Sequence, residues 1–149
     1  MPAGPALSTT GPVTADDTAT LLRAIAALPD DVRAAITDVH LIRLESAAKE
    51  RIRRRSREVQ DAFVDQAAAH RTIHVNAYSV MFRAAGRGQA GALTHLASVI
   101  AHEAWHVSHG AGEAGAYDEQ LRVLTALKAP VSVLRRVRES RDYAVSKGR

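Results

Sequence analysis

Residues 101–107 read AHEAWHV and contain the pattern HExxH. The apolar run Leu96–Ile100 precedes it, and its spacing predicts a helix that continues through the pattern. On such a helix His102 and His106 lie one turn apart on the same face, so both imidazoles can bind one ion. Glu103 then projects beside that ion, where a carboxylate can act on a bound water. The pattern therefore predicts a metal site on this helix.

A catalytic zinc site needs a third protein ligand and one open position. The chain has no Cys, so the third ligand must be His, Asp or Glu. We favour Glu113, which is reached from His106 across HGAG, because two glycines allow the chain to reverse sharply. The alternatives are His109, Asp118 and Glu119; a third ligand at His109 would strain tetrahedral geometry.

Tyr117 follows Glu113 by one helical turn on the same face. This spacing places Tyr117 beside Glu113 and the predicted metal site. A tyrosine on a helix also commonly packs in a core. Packing is therefore one interpretation of Tyr117, and a role at the metal site is the other.

The chain has the length of one domain, 149 residues. Residues 1–15 are rich in Pro, Gly, Ser and Thr, which predicts a disordered N-terminal tail and a single folded domain over residues 16–149. The N-terminus lacks the features of a secretory signal, and no stretch reaches the ~18 apolar residues of a membrane span. We therefore expect a cytoplasmic protein.

Residues 49–58, KERIRRRSRE, carry six basic and two acidic side chains. This segment alone accounts for the net charge of +4. Arginines at this density suit phosphate contacts, so nucleic-acid binding is one alternative function. Aromatic residues form only 4% of the chain and none lies among these arginines. A solvated helix face with ion pairs is therefore the favoured interpretation, and nucleic acid is not an expected partner.

Hydrophobic patterning predicts an α+β domain. Predicted helices cover residues 17–28, 32–36, 92–109, 113–127 and 131–145, and predicted strands cover residues 39–44 and 71–77. Residues 46–69 are ambiguous, and we expect a helix to about Arg57 followed by a strand. Residues 84–91, AAGRGQAG, are predicted as a loop.

The pattern HEAWH, followed by Glu113 and Tyr117 and preceded by the strand TIHVN, resembles the zincin metallopeptidases, closest to minimal gluzincin-like domains. The resemblance covers about residues 71–127. It implies a zincin-like fold in which the HExxH helix follows a small mixed sheet and a Glu from the next helix completes the site. The metzincin extension is absent, since His109 stands where its Gly would be and Gly112 where its last His would be.

The resemblance implies a zinc-dependent peptidase acting on peptide or protein substrates. Zinc held by His102, His106 and Glu113 would activate water and polarise the scissile carbonyl. Glu103 would take the proton of the attacking water and pass it to the leaving amine. Tyr117 would donate a hydrogen bond to the oxygen that becomes negative during the attack. An extended substrate is expected to add to the strand at residues 71–77 through backbone hydrogen bonds. A non-catalytic zincin-like binding module is the other alternative, and no oligomeric state is indicated.

Overall fold

The computed structural model describes residues 4–43, 62–64 and 72–149. Within these ranges the chain forms four strands and six helices. The strands are β1 Ala6–Thr10, β2 Asp38–Ile42, β3 Ala62–Val64 and β4 Ile73–Asn76. The helices are α1 Ala15–Ala27, α2 Asp30–Ala35, α3 Val80–Gly86, α4 Ala92–His109, α5 Glu113–Ala126 and α6 Val131–Ser146. The α+β class predicted from the sequence is confirmed.

The four strands form one mixed sheet in the order β1-β2-β4-β3. β1, β2 and β4 run parallel, and β3 runs antiparallel to β4. Val39 and Leu41 of β2 alternate with more exposed residues and are fully buried. Their partners on β4, Ile73 and Val75, are at most 2% exposed. This apolar face carries the helices, because alternating side chains leave only one face of each strand available for a core.

Helix α4 occupies the centre of the helical layer. It contacts α1, α2, α3 and α5 as well as β3 and β4. Leu96, Ile100 and Ala104 recur at a spacing of four residues on its core-facing side and are buried. The HExxH helix is thus held on several sides by the core, which fixes the direction of its polar side chains.

The first helix begins at a reciprocal cap. The hydroxyl of Thr14 accepts from the backbone N–H of Asp17, and the Asp17 carboxylate accepts from the N–H of Thr14, both at 3.0 Å. Asp17 also forms an ion pair with Arg43 at the end of β2, at 3.3 Å. The N-cap of α1 is therefore Thr14, and Asp17, three residues later, completes the capping box.

Two local predictions were wrong. Residues 6–10, expected in a disordered tail, form β1, because they pair in parallel with β2 although all five are exposed. Residues 84–86, expected in a loop, end α3, whose first turn is capped by the Ser79 hydroxyl. The helix expected before Arg57 lies outside the described residues, while β3 falls within the strand expected after it.

The expectation that a peptide adds to the strand at residues 71–77 was also wrong. β4 is bonded to β2 on one side and to β3 on the other, so its backbone groups are already paired. Among the described strands, the free edges of the sheet belong to β1 and β3.

The described helices include none with the length and apolar character needed to cross a membrane.

Candidate metal centre

Helix α4 has the bounds that the sequence predicts, Ala92–His109. It ends where Gly110 takes a φ of +83°, a left-handed conformation that favours glycine. Gly112 follows with a φ of +125° and directly precedes α5. These two glycines reverse the chain, so Glu113, the first residue of α5, returns to the side of α4 that carries the two histidines.

The Glu113 carboxylate lies between the two imidazoles of the HExxH pattern. Its Oε2 is 3.2 Å from Nε2 of His102, and its Oε1 is 3.0 Å from Nε2 of His106. Two atoms bound to one tetrahedral zinc ion at about 2.0–2.1 Å lie about 3.3 Å apart. The three side chains together form a group that could hold a metal ion, with ligand atoms all within 4.8 Å of one another.

The opposite ring nitrogen of each histidine is already engaged. Nδ1 of His102 lies 3.0 Å from the amide oxygen of Gln120, and Nδ1 of His106 lies 2.9 Å from the carbonyl oxygen of Gly110. Both partners can only accept, so Nδ1 carries the proton in each ring. Nε2 of each ring therefore faces Glu113, where it can donate to the carboxylate or, without its proton, bind a metal ion. The residues present therefore fit a metal ion.

The three alternative ligands lie elsewhere. His109 stacks on Trp105, with ring centroids 4.4 Å apart. Asp118 bonds to Arg141 and Glu119 to Arg122, each at 2.6 Å. Among the residues that the structure describes, only Glu113 joins His102 and His106 in such a group.

The electrostatics of the group favour an ionised Glu113. Hydrogen bonds to His102 and His106 hold the pKa of the Glu113 carboxyl well below its usual range. Burial alone would lower the pKa of His106, but its bonds to Glu113 and to the Gly110 carbonyl outweigh burial and raise that pKa. The centre therefore consists of an ionised Glu113 carboxylate that lies between Nε2 of His102 and Nε2 of His106.

Glu103 is in a different environment from Glu113. Burial raises the pKa of the Glu103 carboxyl to about 7, with the nearby Glu113 charge adding to the rise and His102 and His106 opposing it. A carboxyl with a pKa near neutrality can both take and return a proton at physiological pH. The pKa values of Glu103 and Glu113 therefore differ in direction, because burial raises that of Glu103 whereas hydrogen bonds to two histidines lower that of Glu113.

Two aromatic side chains border the centre. The Tyr117 ring meets the His102 ring edge-on, with centroids 4.6 Å apart, so the residue predicted beside the site is there. Trp105 meets His106 edge-on at 5.6 Å and covers Gly115 of α5. Trp105 holds α4 and α5 together on one flank of the group, while Tyr117 covers the other histidine.

Gln120 and Ser98 support the site and were not predicted from the sequence. Gln120 is 4% exposed and Ser98 is fully buried. Gln120 lies on α5 two turns after Glu113, and that spacing on one helical face was the signal available in the sequence. The basic segment at residues 49–58 lies outside the described residues.

Comparison with protein-family models, with curated proteins and with solved structures finds no match to this chain.

Proposed function

We propose that this protein is a zinc-dependent peptidase with a zincin-like site. The observation that carries the proposal is the position of the Glu113 carboxylate, 3.0–3.2 Å from the Nε2 atoms of His102 and His106. Each histidine uses its other ring nitrogen for a hydrogen bond, as ligands of a metal do.

The donor set favours zinc over other cations. Two imidazoles and one carboxylate without thiolates match the His₂Glu sets of catalytic zinc, whereas Ca²⁺ and Mg²⁺ prefer all-oxygen sites. A structural zinc site would need a fourth protein ligand, and the described residues add no fourth His, Asp or Glu to the group. Three protein ligands leave one position for chemistry.

A zinc ion bound there supplies Lewis acidity toward a water molecule and a substrate carbonyl. Glu103 is the general base in this proposal, because it follows His102 on α4 and lies close enough to His102, His106 and Glu113 to interact with their charges. A carboxylate at that place can take a proton from water and return it to the leaving amine. Tyr117 lies against His102 and is proposed to donate to the oxygen that becomes negative during attack.

The test begins with zinc content, measured by plasma mass spectrometry on purified protein. Near-stoichiometric zinc is expected in the wild type and strong loss in His106→Ala and Glu113→Ala. His109→Ala is the matched control, since it removes a histidine of the same helix that lies outside the group. A wild type that takes up no zinc after reconstitution would rule the proposal out.

Cleavage of a peptide library then tests catalysis. We expect hydrolysis by the zinc-loaded wild type and none by Glu103→Gln, with zinc content unchanged. Zinc binding without cleavage in the wild type would instead support a non-catalytic binding module.

A further inference from the structure

A chain of buried hydrogen bonds runs behind His102, away from the metal group. Nδ1 of His102 lies 3.0 Å from Oε1 of Gln120, and Nε2 of Gln120 donates to the Ser98 hydroxyl at 3.2 Å. The Ser98 hydroxyl donates to the backbone carbonyl of His95 at 2.7 Å. His102, Gln120 and Ser98 are each at most 7% exposed, so water cannot readily substitute for a lost partner.

The direction of every bond in this chain is set at its far end. A backbone carbonyl can only accept, so the single hydroxyl proton of Ser98 is committed to the carbonyl of His95. The Ser98 oxygen must then accept from the NH₂ group of Gln120. This orients the amide so that its oxygen faces His102, and an amide oxygen can only accept a hydrogen bond from the N–H at Nδ1.

The reversed amide is disfavoured by the same constraint. With Gln120 flipped, its oxygen would face a Ser98 oxygen whose proton is already used. Two buried acceptor oxygens would then face each other with no proton between them. This costs more free energy in the interior than at the surface, because no water is there to supply the missing hydrogen bond. His106 needs no such device, since its Nδ1 bonds directly to the fixed carbonyl of Gly110.

We propose that Ser98 and Gln120 are positioning residues that set the tautomer of His102: they keep a proton on Nδ1, so that Nε2 is the nitrogen available to bind a metal ion beside Glu113. The proposal rests on the metal site of the proposed function but not on its peptidase activity. It makes the affinity for zinc depend on a hydroxyl that touches neither the metal group nor Glu113.

The first test is zinc affinity, measured by competition with a chromophoric chelator. Gln120→Met and Ser98→Ala are expected to lose about 10- to 100-fold, the range for residues that orient metal ligands. Gln120→Glu should lose less affinity than Gln120→Met, because its carboxylate still accepts from Nδ1 although its second oxygen faces the Ser98 hydroxyl oxygen. Thr20→Val is the matched control: it removes another buried hydroxyl that donates to a helix carbonyl, that of Asp16, and should leave affinity unchanged.

The second test reads the tautomer itself in metal-free protein by ¹⁵N NMR of the imidazole, above pH 8. It uses Glu113→Ala, which removes the carboxylate that would otherwise draw a proton to Nε2. His102 is expected as the Nδ1–H form in Glu113→Ala and as a mixture in the double variant with Ser98→Ala. An Nε2–H form in the single variant, or wild-type zinc affinity in both Ser98→Ala and Gln120→Met, would overturn the proposal. Failure of the wild type to bind zinc would refute the proposed function, and the tautomer measurement would still decide this inference.

Discussion

Trp105 lies directly on Gly115, so closely that a Cβ atom on Gly115 would sit 2.2 Å from Cζ2 of the indole. Three atoms of the ring would lie within 2.9 Å of that Cβ, a distance that real contacts do not tolerate. The absence of a side chain at this position lets α4 and α5 approach each other. Glu113 stands two residues earlier on α5, so this approach helps to bring its carboxylate to the histidines.

We therefore predict that Gly115→Ala destabilises the protein by about 1–3 kcal/mol through overpacking and lowers the affinity for zinc. Urea unfolding followed by fluorescence measures the first effect, since Trp105 is the only tryptophan. Gly86→Ala is the control, because a Cβ at this helical glycine meets nothing nearer than 3.4 Å. Wild-type stability and affinity in Gly115→Ala would show that the ring moves aside freely.

The turn between α4 and α5 gives a second prediction. Gly112 has a φ of +125°, which L side chains rarely adopt, so Gly112→Ala should cost about 1–3 kcal/mol. The strain falls on the residue before Glu113, and zinc content should fall as well. Ala111→Ser alters an exposed position in the same turn and should change neither quantity. Equal unfolding midpoints for Gly112→Ala and wild type would argue that the turn has an alternative conformation.

The cap of α1 gives a third prediction. Thr14→Ala removes the hydroxyl that accepts from the N–H of Asp17 and should lower the free energy of unfolding by about 0.5–2 kcal/mol. Thr125→Ala is the control, because that exposed threonine bonds only to a carbonyl of its own helix and alanine is a better helix former. The comparison is read from thermal unfolding, and equal losses in the two variants would contradict a capping role for Thr14.

The pH dependence of stability gives a fourth prediction. Burial, assisted by the charge of Arg136, lowers the pKa of His95 from 6.5 to about 4. The unfolded chain therefore binds a proton before the folded protein does, so stability is lost as pH falls from 6.5 toward 4 and not above that range. Unfolding in urea across this range should show a shallower pH dependence for His95→Gln than for wild type. His109→Gln, at an exposed position of the same helix, should keep the wild-type slope.

Local sequence signals predicted α4 completely because they agree with one another. An apolar stripe runs along it, and Gly110 follows its last turn in the conformation that ends helices. Glu113 could be proposed for the same reason, since the glycines around it indicate a reversal and few liganding residue types follow. For α4 and the turn that follows it, local patterns were sufficient because neighbours in the sequence determine the structure there.

Features that depend on distant partners were not predictable in this way. β1 has no buried side chain and is a strand only because its backbone pairs in parallel with that of β2. Likewise, Gln120 is an ordinary polar residue of an amphipathic helix until α5 packs against α4 and brings it to His102. Spacing alone does not tell which polar side chain on one helix meets which on the next.

The placement of β1 has a practical consequence for truncated versions of the protein. A fragment that starts at residue 16, where composition suggests that folding begins, would lack this strand entirely. The backbone N–H and C=O groups of β2 that now pair with it would be exposed along an uncovered sheet edge. Such an edge is a template for pairing between molecules, so aggregation of the shortened chain would reflect a missing strand and not an intrinsically insoluble domain.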